Sequence, residues 1–223
     1  MKTKRAVIGL ALTCLIIGGS FRGTGGNCEA AVVYPKAPAG GGQIVYEHLR
    51  AHPDELGGLQ IKDLTIAEPH RWYSVGLTDL ASGHLVSAAT SRSWRYILLQ
   101  GTNAVGVAQV SDADAKAGNA LQFSGLWETC FSKETLEALR IAETLPQVKK
   151  QDYELRFLDS PGVVFCAVWL HGKSDDIIIP VPPTFGRWNA YQPYSEMQII
   201  KLLKPEAKKR LKAPGLGSAA SHL

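Results

Sequence analysis

The chain contains few cysteines and no apolar run of transmembrane length near its start. It has four cysteines in 223 residues, and Cys14 and Cys28 precede residue 31. The apolar run over residues 6–19 is shorter than the ~20 residues that a comfortable membrane span requires. If the first thirty residues are removed, only Cys130 and Cys166 remain.

Recognisable catalytic and cofactor motifs are also missing. The sequence has no Gly-x-Ser-x-Gly elbow and no His-Glu-x-x-His. The glycine run at residues 40–42 lacks the preceding strand and the Gly-Lys-Ser/Thr ending of a phosphate loop, and is interpreted as linker. No cofactor is therefore expected, and no motif commits the chain to one reaction.

An excess of positive charge is confined to the N-terminus. The chain has 24 Lys and Arg against 20 Asp and Glu. Residues 1–30 hold Lys2, Lys4, Arg5 and Arg22 with only Glu29, so the remainder is close to neutral. A nucleic-acid partner is not expected for such a balance.

The first thirty residues are typical of an export signal. A basic start, Met1 to Arg5, is followed by the short apolar run and by small residues. Cleavage fits after Ser20 or after Ala30, and an uncleaved anchor is the alternative. Either outcome leaves the rest outside the cytoplasm, in the periplasm or the extracellular space, because the basic flank stays inside. We divide the chain into an export signal (1–30), a flexible linker (31–42), one globular domain (43–212) and a disordered tail (213–223).

Periodicity and turn residues predict an α+β domain. Helices are expected at 43–51, 133–145 and 196–212, the last with a capping box of Ser195 and Gln198. Strands are expected at 64–67, 71–77, 94–99, 104–110, 152–158, 163–170 and 177–179. The unbroken apolar run at 163–170 is typical of a strand covered on both faces. Short connections favour a mainly antiparallel sheet of about six strands, with a helix before it, one packed on a face and one at the C-terminus.

The two late cysteines allow two structural interpretations and one catalytic hypothesis. Cys130 and Cys166 either form a disulfide, which an oxidising compartment would preserve, or stay as two thiols. Cys130 also precedes a helix, where a thiol pKa is lowered. With His171 and Asp175 it makes a conceivable catalytic set for a thiol-dependent or hydrolytic enzyme.

Three further features are candidate binding sites. His48 and His52 share a helical face and are candidates for a metal site, the alternative being a solvated polar face. The loop over residues 182–194 carries side chains of the kind that recognise sugars or proteins, unless it folds back and buries its rings. These side chains are Phe185, Arg187, Trp188, Tyr191 and Tyr194. The basic last helix can lie on anionic lipid or dock on the core.

Taken together, these patterns favour an exported, non-catalytic binding or interaction domain of the cell envelope. Its partner is an unidentified protein, small molecule or saccharide. The alternatives are the enzyme described above and a structural envelope protein tethered to the membrane by its N-terminal segment or by the basic helix.

Overall fold

The computed structural model describes residues 31–112, 121–127 and 130–213, with the backbone alone at Cys130. The predicted export signal (1–30) and all but the first residue of the predicted tail lie outside these residues. Segment 31–42, predicted as a linker, contains the first strand and the first two residues of a helix.

Ten strands in the described residues join into one mixed sheet. They are β1 (Val32–Val33), β2 (Leu64–Ile66), β3 (His70–Ser74), β4 (Thr90–Gln100), β5 (Asn103–Ser111), β6 (Gln122–Trp127), β7 (Tyr153–Ser160), β8 (Phe165–Gly172), β9 (Asp176–Pro180) and β10 (Tyr194–Ser195). The main order is β10-β9-β8-β7-β3-β4-β5-β6, with β1 paired to β7 and β2 to β4. The pairs β3–β7 and β1–β7 are parallel, and the other pairs are antiparallel.

Four α-helices in the described residues cover the two faces of this sheet. They are α1 (Gly41–Ala51), α2 (Leu77–Ser82), α3 (Cys130–Thr144) and α4 (Glu196–Lys212). Helix α3 packs through Ala138 and Ala142 on a core that contains Phe157 and Val168, and we call that side of the sheet the α3 face. Helix α1 covers one end of the opposite face, and α2 with α4 covers the other end.

Strand β8 shows why both faces need cover. Ala167 and Trp169 lie in the core under α2 and α4, whereas Val168 and Leu170 lie in the core under α3. Alternate residues of a strand point to opposite faces, so a strand that is apolar at every position must be covered twice. The prediction that the run at 163–170 is a strand covered on both sides is therefore confirmed from Phe165 onward, whereas Val163 ends a 3-10 turn and Val164 is 41% exposed.

Two helix starts follow from local chemistry. Ser195 and Gln198 form the predicted capping box: Gln198 N donates to Ser195 Oγ over 3.3 Å, and Ser195 N donates to Gln198 Oε1 over 2.8 Å. Helix α1 begins at Gly41, where an added Cβ would lie 1.9 Å from the Tyr96 hydroxyl oxygen. Glycine therefore lets α1 approach β4 closely.

The predicted six-stranded antiparallel sheet with a helix before it is wrong. The sheet is mixed, it has ten strands in the described residues, and β1 precedes α1. The prediction assumed that successive strands with short connections pair antiparallel with each other, but β3 also pairs in parallel with β7. The parallel β3–β7 pair places Arg71 beside Arg156, two residues far apart in the sequence, and no local signal marks such a partner.

Candidate functional site

A cavity opens on the α3 face, beside the first turn of α3. Its volume is about 170 Å³. Its walls combine four aromatic rings with a small polar group: Trp72, Trp127, Phe131 and Phe157, then Arg95, Gln109, Asp159 and Cys166. We call it the Arg95 cavity. Trp127 forms an outer wall, since 53% of it is exposed at the end of β6.

Strand register brings these side chains together. Residues that lie directly opposite in neighbouring strands project from the same face of the sheet. The opposed pairs are His70 with Arg95, Arg95 with Gln109, Trp72 with Phe157, Ser74 with Asp159, and Asp159 with Cys166. The cavity floor is therefore built from β3, β4, β5, β7 and β8, and depends on the parallel β3–β7 pair.

Arg95 is the charged group of the cavity. The residue is only 3% exposed, and its guanidinium carbon lies 3.7 Å from the centroid of the Phe157 ring. Its Nη1 has no hydrogen-bond partner among the described residues. Burial lowers the pKa of Arg95 to about 10, while Cys166 and Asp159 act in the opposite direction. Arg95 therefore stays charged at neutral pH, although one of its donors is unused.

Asp159 supplies a carboxyl group on the adjoining wall. Burial raises the pKa of Asp159, and hydrogen bonds from the Ser74 and Trp72 side chains and then the Arg95 charge partly offset that effect. Asp159 and the Trp72 indole therefore face each other, and Nη1 of Arg95 is the unused donor of this cavity among the described residues. Because most buried polar atoms in proteins are hydrogen-bonded, an unused guanidinium donor beside a buried carboxyl group and aromatic walls points to a binding site.

His70 lies beside Arg95 on the same face and is completely buried. Burial, and then the Arg95 charge, hold the pKa of His70 well below its ordinary value of 6.5. The ring is therefore neutral at pH 7, and Arg95 is the cation of this part of the sheet.

The predicted Cys130, His171 and Asp175 set is not brought together. His171 Nδ1 lies 2.8 Å from Asp176 Oδ1, whereas Asp175 Oδ1 accepts a 2.8 Å hydrogen bond from the Tyr153 hydroxyl. The His171 ring contacts Trp169, on the face covered by α2 and α4. Helix α3, which begins at Cys130, packs on the opposite face.

The predicted disulfide stays a prediction. Cys166 lines the Arg95 cavity together with Phe131, the residue that follows Cys130. The backbone of Cys130 therefore begins α3 near Cys166, but its side chain lies outside the described part of the structure.

The predicted histidine pair does lie on one face of α1. The rings of His48 and His52 have centroids 4.5 Å apart. His48 Nε2 lies 3.0 Å from Glu55 Oε2, and its ring stacks on Phe123 at 3.5 Å. In the described ranges, no three His, Cys, Asp or Glu residues form a group that could hold a metal ion.

The predicted recognition loop does not present its five side chains on one surface. Trp188 and Tyr194 are buried in the core under α2 and α4, and Trp188 meets Phe165 edge to face. Tyr191 packs against the core on the α3 face. Phe185 is 68% exposed, and Arg187 is exposed as well.

The basic helix α4 docks on the domain. Ile199, Leu203 and Ala207 are buried against the α2 side, and Lys204 Nζ donates to Ser82 O over 3.1 Å. No helix in the described ranges is long and apolar enough to cross a membrane.

Sequence reasoning overlooked the Arg95 cavity, although one signal was present. In β4, Trp94, Tyr96 and Leu98 lie on one face, and Ile97 and Leu99 share the other face with Arg95. Both faces of this strand are thus apolar, and an arginine on an apolar face signals a buried charge. The other cavity residues meet only through tertiary pairing.

Comparison with protein-family models, with curated proteins and with solved structures gives no match for this chain. The Arg95 cavity is therefore interpreted from its own geometry and chemistry.

Proposed function

We propose that this chain is a ligand-binding domain that takes a small organic molecule into the Arg95 cavity. One observation carries the proposal: a buried, charged guanidinium with an unused donor lines an aromatic cavity. The proposal favours binding over the thiol-dependent enzyme, because His171 and the start of α3 lie on opposite faces of the sheet.

The energetics of Arg95 support a functional reason for its place. Burying a charged group costs several kcal/mol even after the protein relaxes. The Phe157 ring under the guanidinium returns only ~1 kcal/mol. A ligand that accepts a hydrogen bond from Nη1 would recover more, since a charge-assisted hydrogen bond contributes roughly 1.5–3 kcal/mol. The ligand-free protein thus holds an unfavourable charge that binding would compensate.

The aromatic walls favour a flat, largely apolar ligand. Trp72, Phe131 and Phe157 present ring surfaces to the cavity, and Trp127 closes its outer side. Aromatic pairs stabilise through offset or edge-to-face contacts beyond the area they bury. A flat ring would therefore gain more from these walls than a flexible aliphatic chain of equal size.

We further propose that the binding domain works outside the cytoplasm, as the basic and apolar N-terminus favours. Intact-mass analysis of protein recovered from the cell envelope and the medium tests this. A chain that begins near residue 21 or 31 supports cleavage and export, and a full-length chain in the membrane fraction supports an anchored form. Full-length protein found only in the cytoplasm would contradict the proposal.

The five tryptophans allow a test of the binding site itself. Trp72 and Trp127 line the cavity. Trp94 and Trp169 donate to Asp112 and Asp176 away from it, and Trp188 is in the opposite core. The indole N–H resonances of the full chain should be followed by two-dimensional NMR while aromatic fragments of about six to ten non-hydrogen atoms are added. The W72F and W127F variants identify the two cavity signals.

A fragment that binds in the cavity should move the Trp72 and Trp127 resonances and leave the other three in place. The three remote indoles are internal controls for unfolding and for nonspecific association. If no fragment moves the two cavity signals, or if all five move together, the proposed function is wrong.

A further inference from the structure

We infer that the ligand of the Arg95 cavity is a small aromatic carboxylate, of the size of benzoate. The inference rests on the proposed binding function and names the chemical class of the ligand.

The volume of the cavity matches a single ring with a short substituent. The cavity measures about 170 Å³. An apolar protein cavity of ~150 Å³ holds one benzene molecule. A benzoate-sized molecule therefore fits inside it, whereas a fused tricyclic ring, a disaccharide or a nucleotide would extend past Trp127 into solvent.

The charge decides the polar end of the ligand. Arg95 is a buried cation with an unused donor, and its neighbour His70 is neutral at pH 7. A cationic ligand would add a second positive charge beside the guanidinium, and an uncharged hydrocarbon would leave Nη1 unsatisfied. A carboxylate accepts a charge-assisted hydrogen bond from Nη1 and neutralises the guanidinium charge.

Asp159 is compatible with an anion in the same cavity. Its carboxyl lies in a buried setting that favours the protonated acid, and a second carboxylate beside it would favour protonation further. Once protonated, Asp159 becomes a hydrogen-bond donor. Arg95 and Asp159 would then both donate to the bound carboxylate, and Gln109 adds an amide on the Arg95 side.

Three ligands of nearly equal shape separate the possibilities: benzoate, benzamide and benzamidine carry negative, neutral and positive heads. Each is titrated into the full chain while the Trp72 and Trp127 indole resonances are followed. We expect benzoate to bind at least about tenfold more tightly than benzamide, because its hydrogen bonds to Arg95 are charge-assisted. Benzamidine should be the weakest of the three.

Substitutions at Arg95 and Asp159 assign the preference to the cavity. Arg95→Met should reduce benzoate affinity by about tenfold or more and leave benzamide almost unchanged. Arg95→Gln serves the same purpose if the methionine variant fails to fold. Asp159→Asn keeps a donor and should bind benzoate at least as tightly as the parent. The matched control is Arg156→Met, because Arg156 stacks on Trp169 and Tyr73 on the other face, and it should leave the benzoate preference intact.

The outcomes separate the ligand class from the proposed function. Equal or tighter binding of benzamide or benzamidine overturns the carboxylate inference, while movement of the cavity indoles still supports a binding domain. If none of the three moves Trp72 or Trp127, the inference is also overturned, and the wider fragment set then decides the binding function. A benzoate preference that survives in both Arg95 variants places the anion site elsewhere and refutes the inference.

Discussion

Replacing Arg95 by methionine should stabilise the ligand-free protein. Each pKa unit corresponds to about 1.4 kcal/mol, so the fall of the Arg95 pKa from 12.5 to about 10 means that its surroundings disfavour the charged form by about 3 kcal/mol. Methionine keeps the apolar stem but loses the guanidinium contact with Phe157, which is worth ~1 kcal/mol. The expected gain is therefore about 2 kcal/mol.

Urea unfolding of the ligand-free protein, followed by circular dichroism, measures this gain. The protein should be unfolded, dialysed and refolded first, so that any bound ligand is removed. For a domain of this size, each kcal/mol raises Tm by roughly 2–4 °C, so Arg95→Met should melt about 4–8 °C higher than the parent. Its urea m-value should be unchanged, because the substitution does not alter the surface exposed on unfolding.

Arg71→Met is the matched comparison. Arg71 donates to Asp112 over 2.7 Å and lies 4.7 Å from the centroid of the Trp94 ring. Its loss should destabilise the domain by about 1–2 kcal/mol, since the partly buried Asp112 carboxylate then loses its cation and keeps only the hydrogen bond from Trp94. If Arg95→Met also lost 1 kcal/mol or more, the guanidinium would be a structural group. Such a loss would mean that the protein compensates the Arg95 charge without a ligand, and that the cavity holds no unsatisfied cation.

Three more predictions test the packing and the buried histidine. Gly41→Ala should lower the free energy of unfolding by about 1–3 kcal/mol, because the added methyl group clashes with Tyr96 of β4. Gly42→Ala, with nothing within 4 Å of the added Cβ, should be neutral or stabilising. Equal effects of the two substitutions in thermal melts would contradict the close approach of α1 to β4. Trp188→Ala should cost about 3–5 kcal/mol and Phe185→Ala less than about 0.5 kcal/mol, and a Trp188 variant that melts like the parent would show that this ring is not core. Because the pKa of the buried His70 is lowered, the unfolded chain takes up this proton first, and the protein loses stability as the pH falls below about 6.5. In urea unfolding from pH 8 to 5, the parent should lose up to about 1.4 kcal/mol per pH unit relative to His70→Leu. Parallel curves of stability against pH for the two proteins would refute this prediction.

Several elements could be read from the sequence because their causes are local. Ser195 and Gln198 cap α4 with their own side chains. The alternation of Tyr153, Leu155 and Phe157 defines a strand face, and the unbroken run at 163–170 requires cover on both sides. Such patterns depend on residues a few positions apart, so neighbours along the chain carry the information.

The recognition loop shows where local reasoning stops. The aromatic and arginine side chains at 182–194 are equally compatible with a binding surface and with a loop that folds back and buries its rings. The structure buries Trp188 and Tyr194 under α2 and α4 and leaves Phe185 exposed. Which ring is buried depends on the helices that dock over it, and those helices lie elsewhere in the chain.

The sequence by itself determined the helices at both ends of the domain, the covered strand β8 and the near-neutral charge after residue 30. Tertiary structure alone decided the parallel pairing of β3 with β7 and the position of α3 over that junction. The Arg95 cavity exists only through these two arrangements, because its walls come from strands that are remote in sequence. Alternation tells which side of a strand is apolar, but it carries no information about which strand lies beside it. The burial of Arg95 is therefore a property of the assembled sheet.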